Sequence, residues 1–593
     1  MDLINSEVAQ PGRESVLYHR SAISKGLVVL AFCIALTYVV SAVVGGIFSY
    51  SPVPFWDMWE SYLGFFLILR DADWSIWWAQ HNEHRIPLAK ILFWIDFKLF
   101  DGRVIFLIVC NYLLATAAAL TFLSILRTEL RPATRVQPYL ILGASIVALT
   151  FSWIQSENFS WGFQSQFFLA QLLPLLAFYA QYRSAIAARR KNSWFSLAVA
   201  LGILCVGTMA NGIFALPCMV LLAFLLGEKR SKILILVLAA LGLIILYLHG
   251  YLMGGASGSA WAVINNRPRE LILYALAYLG GPFYYLPHGS VTLAVLAGVL
   301  MAVASIFFLI RILMRPPFEA LPLALLTFLA YIAATALMTA SGRLGFGIHY
   351  AVSSRYMTPA LMAWCVLLIL AMLHWRHNVP ALYAIAIAAL ALALTLLPHQ
   401  RSALNPYNPY SFERLIAALA LEMGIHDSQQ ILKSSPHVDA TLAWTDVARQ
   451  RHLSIFADPR LTGVRERIGQ PVSSGAAEAP LCEGAIDAFT TVVDDPRFRA
   501  VRGWIYRPDI KQVPRSVGLL DRHGILVGYA LTGERRRKVT RALNTRELYV
   551  GFSGYVSADA DTADLVLLGD TPACGLPLPS SADGSSSPAH SAY

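Results

Sequence analysis

Charge is what this chain has least of. Asp, Glu, Lys and Arg supply 14% of its 593 residues against 57% hydrophobic residues, and the mean hydropathy is +0.56. A soluble domain of that composition would lack the polar surface needed to stay dissolved. The apolar regions contain no short alternating strands, which excludes a membrane barrel. No small-x-small cleavage site follows the first apolar run, Gly26 to Phe48, and that run is too long for a signal-peptide core. The middles of the apolar runs are nearly free of charge and no internal repeat is visible, neither of which suits a transporter or flippase. Gly345-x-Gly347 lacks the strand-then-helix setting of a nucleotide fingerprint and reads as a flexible turn.

What the chain does have is apolar runs of membrane-spanning length. Eleven are expected to cross as helices, near 27–49, 104–126, 138–154, 165–182, 194–209, 212–227, 233–250, 290–310, 320–340, 356–374 and 379–397. With the N-terminus and its Arg13, Arg20 and Lys25 inside, every inner connection is basic. These carry Arg127/Arg131/Arg135, Arg183/Arg189/Arg190/Lys191, Lys229/Arg230/Lys232, Arg311/Arg315 and Arg376. Ile86–Phe100 could pass for a twelfth span, but Lys90, Asp96 and Lys98 suit a helix along the interface. The formal charge of +10 thus reflects topology rather than nucleic-acid binding, and the C-terminus falls outside.

That topology gathers the polar motifs on the outer face. The first outer loop holds Pro54-Phe55-Trp56-Asp57-Met58-Trp59-Glu60, then Trp74-Ser75-Ile76-Trp77-Trp78 and His81-Asn82-Glu83-His84-Arg85. The second holds Glu157-Asn158, Gly162-Phe163-Gln164 and Gln166, the third Asn211-Gly212, and the fourth runs from Gly250 to Ser290. The fifth holds Arg343 and Ser353-Ser354-Arg355-Tyr356. The tryptophans read first as an interfacial belt, and lone histidines such as His249, His288 and His349 as satisfied polar groups. Charges at the ends of spans are harder to set aside, since an unpaired one there is costly. Asp57, Glu83, His84, Arg85, Glu157, Arg343 and Arg355 are such charges, and structural pairing, for instance Glu83 with Arg343, is the plain alternative to function.

An arginine fork recognises phosphate and never loses its charge; a carboxylate can take a proton from a hydroxyl nucleophile. Together they suit sugar transfer from a lipid-linked phosphate. On these features the chain resembles the GT-C superfamily of integral-membrane glycosyltransferases, which includes protein O-mannosyltransferases, the lipid A aminoarabinose transferase and mycobacterial arabinosyltransferases. The resemblance covers about residues 1–400: an acid just after span one, a long first outer loop with interfacial helices, and a soluble outer domain after the last span. It implies a hexosyl- or pentosyltransferase of a bacterial inner membrane. The donor would be a polyprenyl-phosphate sugar, the acceptor an envelope glycan, lipid or protein, and the course inverting. Asp57 maps onto the family's first-loop base, with Glu83 in reserve. Many members have adjacent acids there, whereas here Met58-Trp59 separates Asp57 from Glu60. Donor phosphate is assigned by loop position to Arg355 and Arg85, with His84, Glu157, Gln164, Arg343 and Tyr356 as further substrate-binding residues. No cofactor is firmly implied. A divalent metal could find oxygens on Asp57, Glu83 and Glu157, but nothing in their spacing requires one, and His81 and His84 lack further zinc ligands. A polysaccharide ligase or polymerase is the alternative enzyme, though it would favour a large late loop over a large first one.

Four regions are expected: membrane domain 1–398, helical connector 399–475, β-rich and sandwich-like domain 476–576, and disordered tail 577–593. Connector helices are read at Phe412–Met423 and Leu442–Leu453. Strands are read at Ala488–Val493, Ala500–Tyr506, Val517–Leu520, Ile525–Leu531, Phe552–Val556 and Leu565–Leu568, with a hairpin turn at Asp521-Arg522-His523-Gly524. The outer domain could serve to bind carbohydrate or merely cap the protein. Five of seven cysteines lie in apolar runs; Cys482 and Cys574 bracket the strands and are expected to pair in an oxidising compartment.

Overall fold

The computed structural model describes residues 11–130, 136–252, 260–314, 318–406, 408–472 and 480–577. Arg131, Arg135, Arg315 and the tail from 578 lie outside the described residues. The chain forms two compact units. Met1–Ser49, Trp77–Leu92 and Phe106–Pro406 make the first; Tyr50–Ile76, Phe93–Ile105 and Tyr407–Tyr593 make the second.

The first unit is helical, and each of the eleven apolar runs lies on a helix. Among the described residues eight helices are long and apolar enough to cross a membrane: Ala22–Phe48, Ile105–Thr128, Gln137–Ser160, Arg230–Leu248, Val291–Leu313, Ala320–Phe346, Ser354–His374 and Val379–Ala403. The other three runs differ for physical reasons. Lys191–Cys205 and Ala210–Leu225 are short; at 1.5 Å per residue, helices of about 15 residues rise roughly 22 Å, less than a hydrocarbon core of about 30 Å. Ser165–Ile186 has 22 residues but carries Pro174, Gln166, Gln171, Gln181 and Arg183. Ser354–His374 has 89% of its most apolar stretch buried and sits at the centre, whereas Arg230–Leu248 has 17% buried and turns Leu234, Leu238 and Ile245 outward, as a lipid-facing helix does. Helices Pro268–Leu279 and Val291–Leu313 touch backbone to backbone. A Cβ on Gly280 would fall 1.8 Å from the Ala294 carbonyl oxygen, and one on Gly298 2.0 Å from that of Leu276, the close approach that small residues permit between membrane helices.

Pro87–Phe100 is a helix of 14 residues, about 21 Å long and too short to span. Two of its charges are not solvated as an interfacial helix would have them: Lys90 and Asp96 are buried. Lys90 Nζ donates to the Ala79 carbonyl at 2.9 Å, and Asp96 accepts from Tyr62 Oη at 2.5 Å and from the Val104 amide at 3.0 Å. Each is buried because it satisfies other polar groups.

The second unit contains an antiparallel sheet of seven strands: β1 Glu483–Thr491, β2 Phe498–Tyr506, β3 Ser516–Leu520, β4 Leu526–Glu534, β5 Gly551–Ser557, β6 Val566–Asp570 and β7 Cys574–Pro577. Their order is β1-β2-β5-β4-β3-β6-β7. The six expected strands correspond to β1–β6; β7, four residues with little β signal of their own, is an addition. The sheet is continuous rather than split into two layers. A bridge between Leu481 and Gly575 brings its edges together, so it curls round a core that includes Val501, Leu519, Phe552 and Leu567. Cys482 and Cys574 are joined at the same seam, their Cα atoms 5.4 Å apart. Helices Pro409–Met423 and Val438–Gln450 precede the sheet.

Candidate functional site

All five loops assigned to the outer face touch one another within the first unit. Glu83 from the first meets Arg343 from the fifth, and Glu157 from the second meets Arg355. His84 Nδ1 accepts from the Ala210 amide beside Asn211 at 3.3 Å, and Tyr251 of the fourth loop donates to the Glu83 carbonyl at 3.0 Å. Tyr285, also of the fourth, donates to the Val352 carbonyl at 2.8 Å. The connections assigned to the inner face pair among themselves: Lys232 with Glu228 and Ser184, and Arg376 with Glu319.

The densest node joins two motifs lying about 200 residues apart. Ser354 Oγ accepts from the Glu157 amide at 3.2 Å. Asn158 Nδ2 donates to the Arg355 carbonyl at 2.9 Å and to Thr358 Oγ1 at 2.7 Å, and Thr358 donates to Gln155 Oε1 at 2.5 Å. This frame fixes the backbone of Arg355, whose Nε donates to Glu157 Oε2 at 3.0 Å; its guanidinium lies 5.8 Å from the Trp161 ring and 5.9 Å from that of Tyr350. Arg343 donates one NH2 bond to Glu83 Oε2 at 2.7 Å and lies over Phe346. Tyr356 is buried against Tyr278 and Tyr350, and both arginines are within electrostatic reach of its hydroxyl. Each guanidinium spends a single nitrogen on its carboxylate, so neither pair uses the bidentate fork.

Arg85 is built differently. It is 5% exposed, and its Nε, NH1 and NH2 donate to the carbonyls of Tyr247 (3.0 Å), Trp78 (2.5 Å) and His249 (2.8 Å). The guanidinium lies 5.6 Å from the Trp78 ring and 5.9 Å from that of Tyr247. With its nitrogens committed to backbone, Arg85 ties the first loop to the end of helix Arg230–Leu248, just before the fourth. Asn211 is likewise a buried tie, donating to Tyr331 Oη at 2.9 Å and Thr335 Oγ1 at 3.1 Å. Gln164 is fully buried, and its side-chain amide has no hydrogen-bond partner among the described residues.

Asp57 belongs to the second unit, where its motif is held by the C-terminal helices. Arg414 lies 3.5 Å over the Phe55 ring, the Trp56 amide donates to the Ser434 carbonyl at 2.7 Å, and Glu60 pairs with His437 Nδ1 at 2.7 Å. Trp59, expected in an interfacial belt, is instead fully buried and packs on Phe456; Trp56 and Trp74 are the exposed ones. Trp56 has φ +50°, a left-handed conformation that bulky side chains rarely adopt and that clusters at functional sites. A π-helical turn, Trp59–Gly64, follows at once, and such turns are common at functional sites. Burial pushes the Arg414 guanidinium down to about 10. Sequence reasoning passes over Arg414, Ser434 and His437, because a lone Arg, Ser or His in an amphipathic connector carries no local signal. Among the described residues no three His, Cys, Asp or Glu side chains are grouped to hold a metal ion.

No family model and no curated protein matches this sequence. Among solved structures the chain is similar to the archaeal oligosaccharyltransferase AglB from Archaeoglobus fulgidus, in complex with an inhibitory peptide and a dolichol-phosphate. The TM-score is 0.38 at 13% identity, covering 67% of this chain and 58% of that one, less than two thirds of its length.

Proposed function

We propose that this membrane protein is a GT-C-like glycosyltransferase, moving a sugar from a polyprenyl-phosphate donor to a glycan, lipid or protein acceptor on the outer face of a bacterial inner membrane. The observation that supports the reading best is the pair of singly bonded arginines, Arg343 and Arg355, each at the end of an apolar helix. Partly exposed Arg–Glu pairs contribute only about 0–1 kcal/mol to stability, so little folding energy is lost when an anion takes over the open fork. Headgroup depth, where a lipid phosphate lies, is where helix ends fall. In this reading Asp57 removes the acceptor hydroxyl proton. The acceptor oxygen then attacks the anomeric carbon as the carbon–oxygen bond to phosphate breaks, and the departing phosphate dianion is neutralised by Arg343 and Arg355. Glu83 and Glu157 hold the two arginines in place until phosphate arrives, and His84, Gln164 and Tyr356 stay assigned to substrate. Arg85, placed at the phosphate by loop position alone, becomes a positioning residue because its donors are spent on carbonyls.

The test can be run without choosing a sugar in advance. Cells lacking the gene should accumulate one polyprenyl-phosphate sugar in lipid extracts analysed by mass spectrometry, and Asp57→Asn should reproduce it, since a general base typically supplies about 10²–10⁴-fold. An unchanged lipid profile in both strains would refute the reading; accumulation in the deletion alone would move the base to Glu83.

A further inference from the structure

The second unit contains a cleft of about 140 Å³ between helices Pro409–Met423 and Ser428–Ile431 and the outer face of strands β2, β4 and β5. Its polar lining is constructed at a specific break in the sheet. On β4 the alternation would turn Glu534 toward the core with Ala530 and Thr532, which pair with Gly554 and Phe552. A bulge between Thr532 and Glu534 reverses this and aims the carboxylate outward, where it accepts from Ser553 Oγ at 3.5 Å. Re-aiming a side chain is what bulges do. The inserted residue is Gly533 at φ +142°, and a Cβ there would also stand 2.7 Å from Phe412 of the helix wall, so both backbone and packing demand glycine. Arg502, opposite Ser553 in the register, is exposed on the same face.

The helix wall is equally organised. Buried Tyr555 donates to Asp427 Oδ2 at 2.9 Å while Asp427 Oδ1 caps the short helix by accepting from the Gln430 amide at 3.0 Å. Glu413 and Lys433 pair loosely at 3.5 Å, each 36% exposed. Three carboxylates thus stand against two cations, with Phe412 and Ile416 supplying apolar surface. Near charge balance disfavours a strongly charged ligand. Carboxylates that accept and a guanidinium that donates, next to an apolar strip, match the hydroxyls and C–H face of a sugar ring.

We propose that this cleft binds a neutral saccharide, independently of the transfer chemistry assigned to the other residues. The test uses the full-length protein in detergent micelles, with saturation-transfer NMR against mannotetraose, cellotetraose, chitotetraose and tetragalacturonate. At least one neutral tetrasaccharide should bind saturably. Arg502→Ala and Glu534→Gln should each weaken it by about tenfold, the worth of one hydrogen bond to a charged group, with the unfolding midpoint retained. Arg502 is on the surface, so Arg502→Ala decides alone should Glu534→Gln fail to fold. Absence of neutral binding, binding by tetragalacturonate only, or equal binding to wild type and Arg502→Ala would each overturn the proposal.

Discussion

Replacing Arg85 by Ala separates a structural tie from a phosphate ligand. The change removes three guanidinium bonds to the carbonyls of Trp78, Tyr247 and His249, at 2.5–3.0 Å, and the ring contacts with Trp78 and Tyr247. Hydrogen bonds from a charged donor contribute about 1.5–3 kcal/mol each, and carbonyls near the surface recover part of that by meeting water. A net loss of about 3–5 kcal/mol follows, at the severe end for a single substitution. Thermal unfolding of the purified protein, followed by tryptophan fluorescence, should show a clear fall in midpoint. Arg85→Lys should recover less than half of it, because an ammonium cannot reach three carbonyls with one fork. Below its midpoint Arg85→Ala should still bind polyprenyl phosphate. A wild-type midpoint combined with lost lipid-phosphate binding would refute the assignment and return Arg85 to the donor site.

Two further outcomes concern the second unit. Cys482→Ser with Cys574→Ser opens a loop 92 residues long and should destabilise the sheet by up to about 4–5 kcal/mol in the chain-entropy model; alkylation of wild type purified without reductant should label neither thiol, and labelling of both would remove the bond. Burial raises the Glu422 carboxyl to about 7 from 4.5, so the folded state keeps a proton that the unfolded chain releases. Stability should therefore decline as pH rises from about 4.5 to about 7, by at most about 3 kcal/mol. Chemical denaturation across that window should show a flatter profile for Glu422→Gln, and identical slopes would contradict it.

How much of this is legible in the sequence varies with the kind of information needed. Helices can be found because an apolar run reports its own length, and β1–β6 because β-branched and aromatic residues cluster between turn residues. The grouping of the loops assigned to the outer face follows from arginine and lysine counts, which separate basic connections from the rest. Side-chain direction is not legible. Arg85 and Arg355 look alike as basic residues at the start of apolar segments, yet one spends three nitrogens on carbonyls and the other one nitrogen on Glu157. Lys90, Asp96 and Trp59 likewise turn inward because distant partners, Ala79, Tyr62 and Phe456, are there to receive them. The Glu534 bulge depends on one glycine whose role shows only against Phe412.

The account stands on Arg343 and Arg355 holding a lipid phosphate. Native mass spectrometry of the purified protein with undecaprenyl phosphate and with undecaprenol measures this directly. Wild type should retain the phosphate and not the alcohol, and Arg355→Ala and Arg343→Ala should each reduce retention about tenfold or more, as expected for losing a charged hydrogen-bonding partner, with Arg355→Lys falling in between. Equal retention of phosphate and alcohol, or retention of the phosphate by the Arg343→Ala/Arg355→Ala double variant at wild-type level, would contradict it.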